Sequence, residues 1–116
     1  MRRDLDLFRK ILLNLEEDGD LSELADQDAI NYHLELMIEA GLLRGEIIET
    51  SDGSSAFLND NRPITNSGHD LIDAIRADTL WRRVKERVSS LVGSVGLDVI
   101  TALAKQEAMK VLGLPS

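Results

Sequence analysis

In the stretch DAINYHLELMIEAGLLRG, residues 28 to 45, the hydrophobic period changes at a glycine, and that change limits what the chain can fold into. Up to Ala40, the residues Ile30, Leu34 and Met37 recur at the spacing of an amphipathic helix, with Leu42 just beyond on the same side. Gly41 stands where a helix C-terminus takes a glycine. After Leu43 come two short β-prone runs, GEIIET and SAFLN, joined by SDGSS, in which Asp52-Gly53 is a turn signal. The pattern predicts a helix from Asp26 or Asp28 to Ala40, either aspartate being a suitable cap, followed by a β-hairpin with strands near 45–50 and 55–60.

The flanks are helical. Leu5, Phe8, Leu12 and Leu15 mark a first helix over 4–17, with Asp4 and Asp6 complementing its dipole and Gly19 ending it. After the hairpin, Pro63 fixes the approach to a third helix. Thr65 or Asn66 caps that helix, Gly68 lets its first turn lie close against the sheet, and Leu71, Ile72 and Ile75 face inward. Trp81, Val84, Val88 and Leu91 predict a helix over 79–92, which VGSVG breaks. A last helix over 97–112 carries Leu97, Ile100, Ala104, Ala108 and Val111 inward, before Gly113 and Pro115. The fold class expected is mainly α with a small β-hairpin, a winged helix-turn-helix over 1–78. Residues 79–116 add two amphipathic helices suited to dimerisation or docking.

Charge then separates function classes. The net charge of -8 argues against non-specific affinity for nucleic acid or anionic membrane and favours partners that carry positive charge. From Ile11 to Leu43 there are nine acids and no base, whereas Arg76 to Lys110 holds seven bases and four acids. With no cysteine, disulfides and thiolate metal sites are excluded. The opening MRRDLDLF lacks the roughly 7 to 15 apolar residues of a signal-peptide core, and no later stretch is long and apolar enough to span a bilayer. A soluble, cytoplasmic protein is expected, with no membrane partner.

Three segments, RRDLDLFRKILLNLE, YHLELMIEAGLLRG and ITNSGHDLIDAIRADTLWRRVKE, resemble an uncharacterised family of small phage and prophage proteins, a domain of unknown function thought to be winged-helix. The resemblance covers most of residues 2 to 88. The stretch from Ile64 to Leu71 also resembles the opening of the helix after the wing in many bacterial winged-helix regulators, which implies a capping role for Thr65 and a close-packing role for Gly68. Those regulators favour an aromatic residue where this chain has Asn66. The resemblance implies a fold and no activity.

Catalytic constellations are sparse. His33 and His69 lie on different elements with no close-spaced ligand pair, so no metal site is expected. Ser67, His69 and Asp70 are neighbours on one helix turn, which suits capping rather than a triad whose members meet across a fold. No phosphate-cradling loop such as GxxxxGK is present. The expectation is a non-enzymatic protein with no cofactor.

What remains is binding. Asp26, Asp28, Asn31, Tyr32, Glu35 and Glu39 form the outward set of the second helix and are the candidate partner-binding residues. Such a face suits a basic protein surface, for instance one that handles nucleic acid, with inhibition as one outcome. The alternative is a winged-helix DNA-binding transcriptional regulator. For it, Arg2, Arg3, Arg44, Arg82, Arg83, Lys85 and Arg87 are candidate DNA or dimer contacts, with Arg9, Lys10 and Arg62 as further cations. Trp81, the only tryptophan, is either an interface anchor or a core residue. A homodimer through the C-terminal helices completes the expectation.

Overall fold

A computed structural model describes residues 4–17, 20–21, 23–59, 62–90 and 96–112. Among the described residues seven elements follow in order: α1 (Leu5–Glu17), α2 (Gln27–Glu39), β1 (Glu46–Glu49), β2 (Ser55–Leu58), α3 (Asn66–Ile75), α4 (Asp78–Ser89) and α5 (Leu97–Leu112). The chain divides into two units, Met1–His69 and Asp70–Ser116, with the boundary inside α3. Arg2, Arg3, Gly19, Leu91, residues 92–95 of the VGSVG segment, Gly113 and Pro115 lie outside the described residues.

In the first unit, α1 buries Leu7, Phe8, Ile11 and Leu12, and α2 buries Ile30, His33, Leu34 and Met37. Burial of each such aliphatic side chain contributes about 1.5–3 kcal/mol. Asp26 is the α2 cap, its carboxylate accepting from the Ala29 amide at 2.9 Å. Gly41 ends the helix with φ 78°, a left-handed conformation that a side chain disfavours.

β1 and β2 pair antiparallel with Ile47 opposite Phe57 and Ile48 opposite Ala56. The hairpin contacts α2. Sequence patterning missed Gly45, which has φ 128° and lies so close to the Leu58 carbonyl and the Phe57 ring that a Cβ would overlap both. At the turn, the Ser54 amide and hydroxyl donate to Asp52 Oδ1 at 3.0 and 2.6 Å, and the Thr50 hydroxyl donates to the same oxygen. These donors stabilise the carboxylate and hold its pKa well below the ordinary value, the Ser54 hydroxyl contributing most.

A third pairing closes the unit. Leu43 bridges Ile64, the Arg44 amide donates to the Pro63 carbonyl at 2.7 Å, and the Thr65 amide donates to the Leu42 carbonyl at 3.1 Å. Thr65 is the α3 cap. Its hydroxyl accepts from the Gly68 amide at 3.0 Å and donates to the Gly41 carbonyl at 2.6 Å, tying the start of α3 to the end of α2. Gly68 does pack closely, but against the Leu42 carbonyl and Ile64 Cγ2 rather than the hairpin expected from sequence. The physical reason is that the connector pairing, and not the sheet, lies beneath the first turn of α3.

In the second unit, Leu71, Ile72 and Ile75 of α3 are buried, as are Leu80, Trp81 and Val84 of α4. The core reading of Trp81 therefore applies, with Lys85 Nζ 5.9 Å above its ring. α4 contacts α5, which buries Leu97, Ile100 and Ala104. The expected inner position of Ala108 requires correction: Ala108 is half-buried, and Glu107 is the residue that turns inward. Arg87 Nη1 meets Glu107 Oε1 at 3.1 Å, with Lys110 Nζ at 3.6 Å, so the buried carboxylate is matched by two cations.

Candidate functional site

The exposed side of α2 is acidic from end to end. Asp28, Glu35 and Glu39 are exposed, and the three make no ion pair among the described residues. Spacings of seven and four place them on one stripe about 16 Å long. Asn31 lies between them, half-buried, its side-chain oxygen accepting from Gln27 Nε2 at 2.8 Å. Tyr32, grouped with them from the sequence, is half-buried and edge-on to His33, with ring centroids 5.3 Å apart. Asp26 is exposed but committed to its cap.

His33 was overlooked as a structural residue. It is 1% exposed, accepts from the Asp4 amide at Nε2 and places Nδ1 2.7 Å from the Ala29 carbonyl. With Nε2 accepting, the proton sits on Nδ1 and both ring nitrogens are satisfied. The signal was present in the sequence, because position 33 falls on the Ile30, Leu34, Met37 side of the helix.

The candidate cations come from several elements. Arg82 and Arg83 are exposed on α4, Lys85 lies over Trp81, and Arg87 is engaged with Glu107. Arg44 is exposed and donates through Nη1 to the Arg62 carbonyl at 3.3 Å. Arg9 is half-buried and Lys10 exposed. No group of three or more metal-capable side chains converges among the described residues. None of their helices is long and apolar enough to cross a membrane.

With the geometry in view, comparison with known proteins adds a family. A model described as "Hypothetical protein (DUF2513)" matches residues 2–94. The chain belongs to the DUF2513 family. A relative from Haemophilus influenzae, described as an uncharacterized protein, is 35% identical over 117 residues, covering 90% of this chain and 93% of its own. No solved structure matches the DUF2513 chain.

Proposed function

We propose that the protein acts by binding rather than catalysis, presenting the acidic stripe of α2 to a positively charged protein surface. The observation that carries this reading is the exposure of Asp28, Glu35 and Glu39 with no cation on the helix. Affinity for DNA comes chiefly from neutralising phosphates, so a helix presenting three carboxylates to a groove opposes its own association. The same charges speed encounter with a basic partner and set its orientation. A nucleic-acid-handling protein fits, because its binding channel already accepts anions, and occupation of that channel would inhibit it.

The test is charge reversal. Glu35→Lys with Glu39→Lys should abolish capture of the bound protein while circular dichroism stays unchanged. Retained capture removes the acidic face from the interaction.

A second reading, a winged-helix DNA-binding regulator, is supported by the order α1, α2, hairpin, α3 with the Leu43–Ile64 bridge as a third short pairing, and by exposed Arg82 and Arg83. It predicts a shift of duplex DNA at physiological salt that Arg82→Glu with Arg83→Glu eliminates. This reading retains a winged helix over 1–78 with a helical extension over 79–116, and exposed Val99 and Met109 on α5 are its candidate dimer contacts. Sedimentation that finds only monomer at all concentrations removes the dimer.

A further inference from the structure

Behind the side that packs on α4, helix α5 presents a second face to solvent. Val99, Ala102, Gln106 and Met109 are all exposed, Val99 and Met109 at 40% and 38%. Their spacings of three, four and three keep them within about 40° of one line along the helix, opposite the buried Ala104. The stripe is symmetric about position 104, with Val99 and Met109 five residues to either side and Ala102 and Gln106 two. Asp98 and Lys105, both exposed, stand seven residues apart along one flank of it. Neither has an ion-pair partner, and the Gln106 side chain has no hydrogen-bond partner, among the described residues.

We propose that this face pairs with the same face of a second copy of the chain, the two α5 helices running antiparallel about a two-fold axis at the level of Ala104. That axis sets Val99 beside Met109 of the second copy and Ala102 beside Gln106 of the second copy, each contact occurring twice. Apolar side chains meet at both ends, and the small Ala102 leaves room for the amide near the centre. The two Gln106 residues fall on one side of the axis, about 6 Å apart along the helices. An amide both donates and accepts, so the two satisfy each other. On the other flank, Asp98 of the second copy arrives about 8 Å along the helix from Lys105, a span that the two side chains close. A parallel pair instead sets Asp98 against Asp98 and Lys105 against Lys105 with the helix dipoles aligned, so charge selects the antiparallel one. A stripe that complements itself under a half-turn fits a second copy, since both sides of a two-fold contact are the same surface. The pairing rests on the α5 dimer of the second reading above, and on no part of its DNA binding.

The experiment is sedimentation equilibrium of the full chain without DNA. A reversible monomer–dimer equilibrium is expected, with a Kd on the order of 10–100 µM for so narrow an interface. Val99→Glu with Met109→Glu should raise that Kd at least ~10-fold by burying carboxylates in an apolar contact. Circular dichroism should stay unchanged, because both side chains are exposed in the single chain. The chain has no cysteine, so the register can be read by oxidative crosslinking. Ala102→Cys mixed with Gln106→Cys should form a disulfide-linked dimer at least ~10-fold faster than either variant alone, since only the mixed pair comes within bridging distance. A monomer at every concentration overturns the proposal. So does a dimer indifferent to Val99→Glu with Met109→Glu, whose contact would lie elsewhere, or an Ala102→Cys variant that crosslinks to itself faster than the mixed pair does. None of these outcomes bears on DNA binding, which the Arg82 and Arg83 variants test separately.

Discussion

The Asp4 backbone amide donates to His33 Nε2 at 2.9 Å, joining the start of α1 to the middle of α2 across 29 positions of sequence. The Asp4 carboxylate meanwhile accepts from the Leu7 amide at 3.2 Å, and the Phe8 ring stands edge-on to the imidazole with centroids 4.7 Å apart. One buried ring thus sets where the first helix begins. His33→Phe keeps an aromatic ring and removes both polar partners, leaving the Asp4 amide without an acceptor. It should cost about 1–3 kcal/mol in urea denaturation. Wild-type stability would show that the contact is incidental.

Gly68 and Gly41 separate two reasons for glycine. An added Cβ at Gly68 would overlap the Leu42 carbonyl and lie 2.8 Å from Ile64 Cγ2, whereas at Gly41 nothing lies within 4 Å and only the positive φ is at issue. Gly68→Ala should cost about 1–3 kcal/mol or more through overpacking, and Gly41→Ala about 1 kcal/mol through backbone conformation. Thermal melts that rank the two in the opposite order would contradict this assignment.

The Glu107 carboxylate is 6% exposed, while its partners Arg87 and Lys110 are 37% and 61% exposed, so water screens one side of the network. Glu107→Ala should destabilise by roughly 1–3 kcal/mol, below the range for a fully buried pair. Glu107→Leu should recover most of that loss, since an apolar side chain of similar size suits the site and leaves two cations able to reach water. A Leu variant as unstable as the Ala variant would mean the ion pair itself is indispensable.

At the hairpin tip the bonds from Ser54 and Thr50 favour the ionised form of Asp52, so its folded pKa is depressed below the ordinary 3.8. A depressed carboxyl contributes stability that is complete above its unfolded value and is lost as pH falls through the folded one. The tip should therefore keep its hydrogen bonds through mild acid and release them only in strong acid. The Ser54 amide shift followed against pH checks this, and a midpoint at the ordinary aspartate value would refute it. Asp52→Ala should abolish the transition.

Much of the fold was legible because periodicity and punctuation agreed. Ile30, Leu34 and Met37 marked the inner side of α2, Gly41 and either Asp26 or Asp28 bounded it, of which Asp26 is the cap, and Asp52-Gly53 located the hairpin turn. The residues that escaped were polar ones on apolar faces. Position 107 has the right spacing to be buried, yet an acid there reads as surface until Arg87 of the neighbouring helix is placed beside it. Tyr32, placed outward by its spacing, is half-buried and stands edge-on to the His33 ring.

Local chemistry alone determined the helices, narrowed the caps to Asp26 or Asp28 and to Thr65 or Asn66, and placed the carboxylates along α2, because each depends on residues within a turn or two of one another. Tertiary structure decided the rest. It converted His33 from an ambiguous histidine into a tie between helices, engaged Arg87 with Glu107, and brought Arg44 and Arg62 to one cleft near the Leu43–Ile64 bridge. The reason is that a buried polar group or a converging charge is defined by its partner, and these partners lie about twenty or more residues away in sequence.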